Sequence, residues 1–117
     1  MNIHWGRIAL GGLLTEVAIF AVVLPLNMIR PSLTYYAVPV LVTAAAFVFG
    51  RWVARPLPAT FVLHGVLTAV VSGLLYVALT VSMGASVPML YHLSHGLRLL
   101  GGVAGGASAA KARRSLP

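Results

Sequence analysis

Four long apolar stretches, separated by short clusters of proline, glycine and arginine, make up most of this 117-residue chain. They run over about 5–24, 33–53, 59–81 and 88–110, and a basic tail follows at 111–117. Each stretch reaches the roughly 20 residues a helix needs to cross a hydrocarbon core. Each is also too long and continuous for membrane strands, which alternate over about 10 residues. Pro25, Asn27, Arg30 and Pro31 mark a first turn, Arg55-Pro56-Leu57-Pro58 a stiff second one, and Met83-Gly84-Ala85-Ser86 an uncharged third. Pro39 lies inside the second stretch with Tyr35 and Tyr36 at its mouth, a combination that membrane helices and their interfaces tolerate. The first stretch has a short basic start, but Glu16 interrupts it and no A-x-A site follows, so the pattern predicts a retained helix and not a cleaved signal peptide. The expected fold is all-α: a single domain forming a four-helix transmembrane bundle.

Composition strengthens that picture. The chain is 60% hydrophobic and 8% charged, against roughly 25% charged residues in soluble domains, and its mean hydropathy is +0.99. A water-soluble domain this small cannot hide so much apolar surface, since it buries only about 60–70% of what its chain exposes. Lipid is the expected solvent.

Charge then orients the bundle. The net +7 comes from eight Lys+Arg set against a single acid, Glu16. With four spans, Arg7, Arg51, Arg55, Lys111, Arg113 and Arg114 fall on one side and only Arg30 on the other. Such a bias predicts that both termini face the cytoplasm. The basic residues flank apolar runs and do not form one face, which argues against nucleic acid and for anionic lipid headgroups as partners. The expected location is a bacterial inner (plasma) membrane, crossed several times. The absence of cysteine excludes disulfides, thiolate metal sites and thiol catalysis.

The candidate chemistry lies in the few ionisable groups inside the spans, which are costly and functional by default. Glu16 lies roughly 16 Å beyond Trp5 and Arg98 roughly 18 Å before Ala110, counted at 1.5 Å per residue. Both are then near mid-membrane, and a Glu16–Arg98 ion pair is expected. It serves either as a clasp between the first and fourth helices or as a proton or substrate site. His64, Thr68, Ser72, Tyr76 and Thr80 recur every four residues as a polar stripe on the third helix, read as interhelical hydrogen bonding or one wall of a polar pathway. Beside it Gly65, Ala69 and Gly73 form a ridge of small residues, and Gly101, Gly102, Gly105 and Gly106 crowd the fourth stretch. These predict close approach to another span or to a second copy, hence a homo-oligomer or an assembly with other membrane subunits. His92 and His95 share a face, an incomplete metal site that Glu16 could join, or a single axial ligand for haem or pigment; helix-to-helix hydrogen bonding is the preferred reading for each. No bound cofactor is predicted.

The segment LGGLLTEV, Leu10 to Val17, is similar to the first helix of the small multidrug resistance transporters. The resemblance covers about one helix and implies a four-span protein that exchanges protons for cations at Glu16. The chain departs from that family in offering His64, Thr68 and Ser72 where the third helix would line an aromatic cage, and in placing Arg98 level with the glutamate. Three functions are therefore expected, in descending order: a structural or accessory membrane subunit, a small oligomeric proton-coupled transporter or channel, and a haem- or pigment-binding subunit. No nucleophile–base–acid arrangement appears, so an enzyme is not expected.

Overall fold

The computed structural model describes residues 3–57, 60–82, 84 and 89–114. It has four helices, α1 (Trp5–Ile29), α2 (Pro31–Ala54), α3 (Phe61–Ser82) and α4 (Met89–Arg114). Of these, α1, α2 and α3 are each long and apolar enough to cross a membrane. At 26 residues α4 is the longest, but His92, His95, Arg98 and a basic last turn dilute its apolar character.

Two expected boundaries move. α1 does not stop at Leu24; it continues through Pro25 to Ile29, leaving Arg30 alone between it and α2. Proline removes one backbone donor, a loss that membrane helices absorb, and the Arg30 N–H closes the last turn on the Leu26 carbonyl at 2.8 Å. Pro31 then opens α2 at a position where its fixed φ is already helical. At the other end Lys111, Arg113 and Arg114 are not a separate tail but the last turn of α4. Alanines favour helix there, and the cations complement its negative end. Pro58, Pro88, residues 115–117, and Met83, Ala85 and Ser86 of the third turn lie outside the described residues; Gly84 adopts a left-handed φ of 64°.

The helices alternate in direction and form a rhombic bundle 47 × 25 × 21 Å. α2 packs on α1, α3 and α4, and α3 also packs on α1 and α4, so α2 and α3 share the short diagonal while α1 and α4 sit apart on the long one. The interior is unusually polar: Thr15, Glu16, Thr34, His64, Thr68, Ser72, Ser94 and Arg98 are all buried. Leu13, Val17, Val40, Leu74, Leu93 and Leu100 face outward.

Close packing rests on two glycine ridges of α4 at a four-residue spacing. Gly101 and Gly105 lie on α2, where a Cβ on Gly101 would stand 2.5 Å from the Thr43 carbonyl. Gly102 and Gly106 lie on α3, where Cβ atoms would stand 2.5 Å from the carbonyls of Gly65 and Phe61 respectively. Gly65 reciprocates against Gly102. Of the two partners expected for these glycines, another span or a second copy, it is another span that lies against them. Both ridges are filled by helices of the same chain, because consecutive glycine pairs point small faces at two neighbours at once.

Candidate functional site

Two glycines on α1 set up the site. A Cβ on Gly11 would overlap Val53 and crowd Thr68, and one on Gly12 would fall 2.5 Å from a Val71 methyl. α1 therefore sits tight against α3, and one turn later Glu16 comes beside Ser72. On the facing side Gly73 leaves room for α4: a Cβ there would be 3.6 Å from Arg98 Nη1 and 3.6 Å from His95 Nδ1. With the α4 glycines wedged between α2 and α3, Arg98 emerges about one turn earlier and reaches across the bundle.

The result is a compact polar centre. Arg98 Nη2 lies 2.8 Å from Glu16 Oε1, and the Ser72 hydroxyl donates to the same oxygen at 2.6 Å. The other arm of the guanidinium, Nη1, is 3.1 Å from His95 Nδ1. Tyr76 packs edge-on to His95 with centroids 5.2 Å apart, and its ring stands 5.4 Å from the Arg98 guanidinium carbon. Glu16 and Arg98 are 3% and 2% exposed. They join α1 to α4 across the long diagonal, where the two helices make no backbone approach. The pair is thus a strut through the bundle and not a seam between neighbouring helices. Two atoms are left over: Glu16 Oε2 and Arg98 Nε are buried without a hydrogen-bond partner among the described residues.

The polar stripe divides. His64, Thr68 and Ser72 are fully buried, yet Thr68 donates to the His64 carbonyl at 2.7 Å and Thr80 to its own helix at Tyr76 and Val77. Ser72, by contrast, reaches Glu16. His64 instead ties the start of α1 to α3: its Nε2 accepts the His4 N–H at 3.2 Å. That fixes Nδ1 as the protonated nitrogen, placed to donate to the Thr60 carbonyl at 2.8 Å. His92 and His95 line a groove of about 410 Å³ with Tyr76, Val77, Thr80, Val81 and Gly84. Arg98 stands between His95 and Glu16, so Glu16 does not join the two histidines; among the described residues no three metal-ligating side chains converge.

Sequence reasoning passed over Gly11 and Gly12, although a glycine pair just before Glu16 repeats the doublets of α4. It also treated Arg7 only as a topological charge. Arg7 closes the C-terminal end of α2, donating from Nε to the Val53 carbonyl at 2.9 Å and from Nη2 to Trp52 at 2.6 Å, while stacking 4.0 Å over the Trp52 ring. Comparison with known proteins gives no match: no family model fits the chain, and neither a curated protein nor a solved structure is similar to it.

Proposed function

We propose that the chain is a four-span membrane protein with both ends in the cytoplasm, acting as a structural or accessory subunit whose own fold is clasped by Glu16 and Arg98. The observation that carries this reading is the buried strut itself. One arm of Arg98 meets Glu16 and the other meets His95, Ser72 completes the cluster, and none of the four surface grooves described is lined by Glu16 or Arg98. The inverted distribution of polarity supports the membrane. Within the apolar length of α4, Arg98 and Ser94 turn inward, while Leu93, Leu99, Leu100 and Val103 turn outward, so α4 crosses despite its composition. The reading includes no catalytic step; partners would dock on the apolar outer surface. Purification in a mild detergent, with identification of copurifying membrane proteins, tests it directly. A Glu16→Gln variant that folds with full stability but no longer performs the protein's cellular role would overturn a purely structural pair.

A second reading has its own support. Among the described residues Glu16 Oε2 has no hydrogen-bond partner, and Arg98 connects Glu16 to His95, which opens onto the outer groove. That chain of groups suits a proton-coupled transporter. It requires pH-gradient-driven flux in proteoliposomes that Glu16→Gln abolishes; equal flux in both proteins removes it.

A further inference from the structure

The opposite end of the bundle carries five arginines, four of them around one groove, and no acidic side chain. Arg7 from α1, Arg51 and Arg55 from the end of α2, and Arg113 from the last turn of α4 line one groove of about 460 Å³ with Trp52, Pro56, Ala109 and Ala112. The chain's one acidic side chain, Glu16, is buried against Arg98, roughly 14 Å along α1 from Arg7 at 1.5 Å per residue. The C-terminal ends of α2 and α4 each supply about half a negative charge. The N-terminal ends of α1 and α3 lie at the same end of the bundle with the opposite sign, so the helix ends largely cancel and the four guanidinium groups form a net positive cluster that attracts anions.

Two of the four guanidinium groups are held in place. Arg7 is fixed by two backbone carbonyls and the face of Trp52, and Arg51 Nη1 donates to the Ser108 hydroxyl at 2.5 Å. Arg55 and Arg113 are exposed at the rim. A guanidinium has five donors in a planar fork that matches phosphate oxygens, so neither fixed arginine is exhausted by these bonds. Trp52, partly exposed beside them, is the kind of side chain that settles at the boundary between headgroups and acyl chains. Basic pockets between helices at the cytoplasmic surface suit phosphate-bearing headgroups.

We propose that this groove is a binding site for the phosphodiester headgroup of an anionic phospholipid, gripped by Arg51, Arg55 and Arg113, with Arg7 and Trp52 as its rigid wall. The site rests on the membrane reading but is independent of what Glu16 does. Its specificity is local, because Lys111 and Arg114 share the last turn of α4 with Arg113 and do not line the groove.

The test uses the full chain, delipidated in an uncharged detergent at fixed ionic strength, with lipid binding read by native mass spectrometry and thermal unfolding. Phosphatidylglycerol or a diphosphatidyl lipid should bind in a defined ratio and raise Tm, and phosphatidylcholine should not. Arg55→Gln with Arg113→Gln should weaken anionic-lipid binding tenfold or more. Lys111→Gln with Arg114→Gln removes the same charge from exposed positions nearby and should change it less than threefold. Equal losses in the two double variants, or equal binding of phosphatidylcholine, would overturn the site. Inorganic phosphate that raises Tm as much as the lipid does would overturn the lipid as its occupant.

Discussion

The two halves of α4 hold the bundle together by opposite means. From Gly101 to Gly106 the helix lies directly on the backbones of α2 and α3, and the contact exists because side chains are absent. One turn earlier Arg98 crosses the width of the bundle to Glu16, and that contact exists because two long side chains are present. The glycine half has no polar side chain to satisfy and admits one arrangement. The arginine half leaves Glu16 Oε2 and Arg98 Nε without hydrogen-bond partners among the described residues, so its stability depends on charge balance and its geometry has room to change. Shape fixes where α4 sits; charge fixes how far α1 stands from it.

The largest effect is expected from breaking the strut. Arg98→Ala leaves Glu16 buried with the Ser72 hydroxyl but no counter-charge, which costs about 3–5 kcal/mol when a buried ion pair loses one partner. Reversible unfolding in mixed detergent micelles measures it. Replacing both residues, as Glu16→Met with Arg98→Met, removes both desolvation penalties and should recover most of that loss. A double variant as unstable as Arg98→Ala alone would mean that α1 and α4 need the charges themselves.

The glycine half should be less forgiving of repair. Gly102→Val places methyl groups against the Gly65 carbonyl, which is backbone and cannot rotate away. The cost should be about 3 kcal/mol, at the upper end for overpacking. Trimming the nearby α3 side chain with Ala69→Gly should restore it only in part, since the tightest neighbour of a Cβ there is the Gly65 carbonyl at 2.5 Å and Ala69 Cβ is second at 2.9 Å. At Gly73 the nearest neighbours of a new Cβ are flexible tips 3.6 Å away, so Gly73→Ala should be nearly silent in the same assay.

A smaller effect separates the strut from its support. Ser72→Ala removes one hydrogen bond to Glu16 Oε1 and keeps the ion pair. Interhelical hydrogen bonds of this kind are worth about 0.6–2 kcal/mol in membranes, so unfolding should shift by about 1 kcal/mol. Under the proton-coupled reading, Ser72→Ala should also shift the pH midpoint of flux, a readout that a merely structural hydroxyl would leave alone.

The contrast between the halves also explains what the sequence could disclose. Helix number and the depth of Glu16 and Arg98 follow from one-dimensional counting, because rise per residue is constant. Counting returns height but not direction around the axis, so it could not reveal that α1 and α4 are diagonal. The glycine doublets announced close approach, yet glycine carries no mark of its partner, and α2 and α3 were as available on paper as a second copy. Pro25 read as a stop because in water its missing donor ends helices. The role of Arg7 was hidden by its usefulness as a topological charge: a cation at the end of one helix can reach the carbonyls of another only when the fold brings them together.

The smallest predicted effect is also the sharpest control on the comparison. Gly96 lies on α4 between the two halves, is exposed, and would meet nothing within 4 Å if it carried a Cβ. It is the same residue type on the same helix as Gly102, without the neighbour. Glycine in a helix interior costs up to about 1 kcal/mol relative to alanine, so Gly96→Ala should leave stability unchanged or raise it by up to about that amount. The paired result, a loss at Gly102 and none at Gly96, separates packing from helix propensity. Equal losses at both positions would mean that α4 needs its glycines for flexibility, and the division of the helix into a steric half and an electrostatic half would fail.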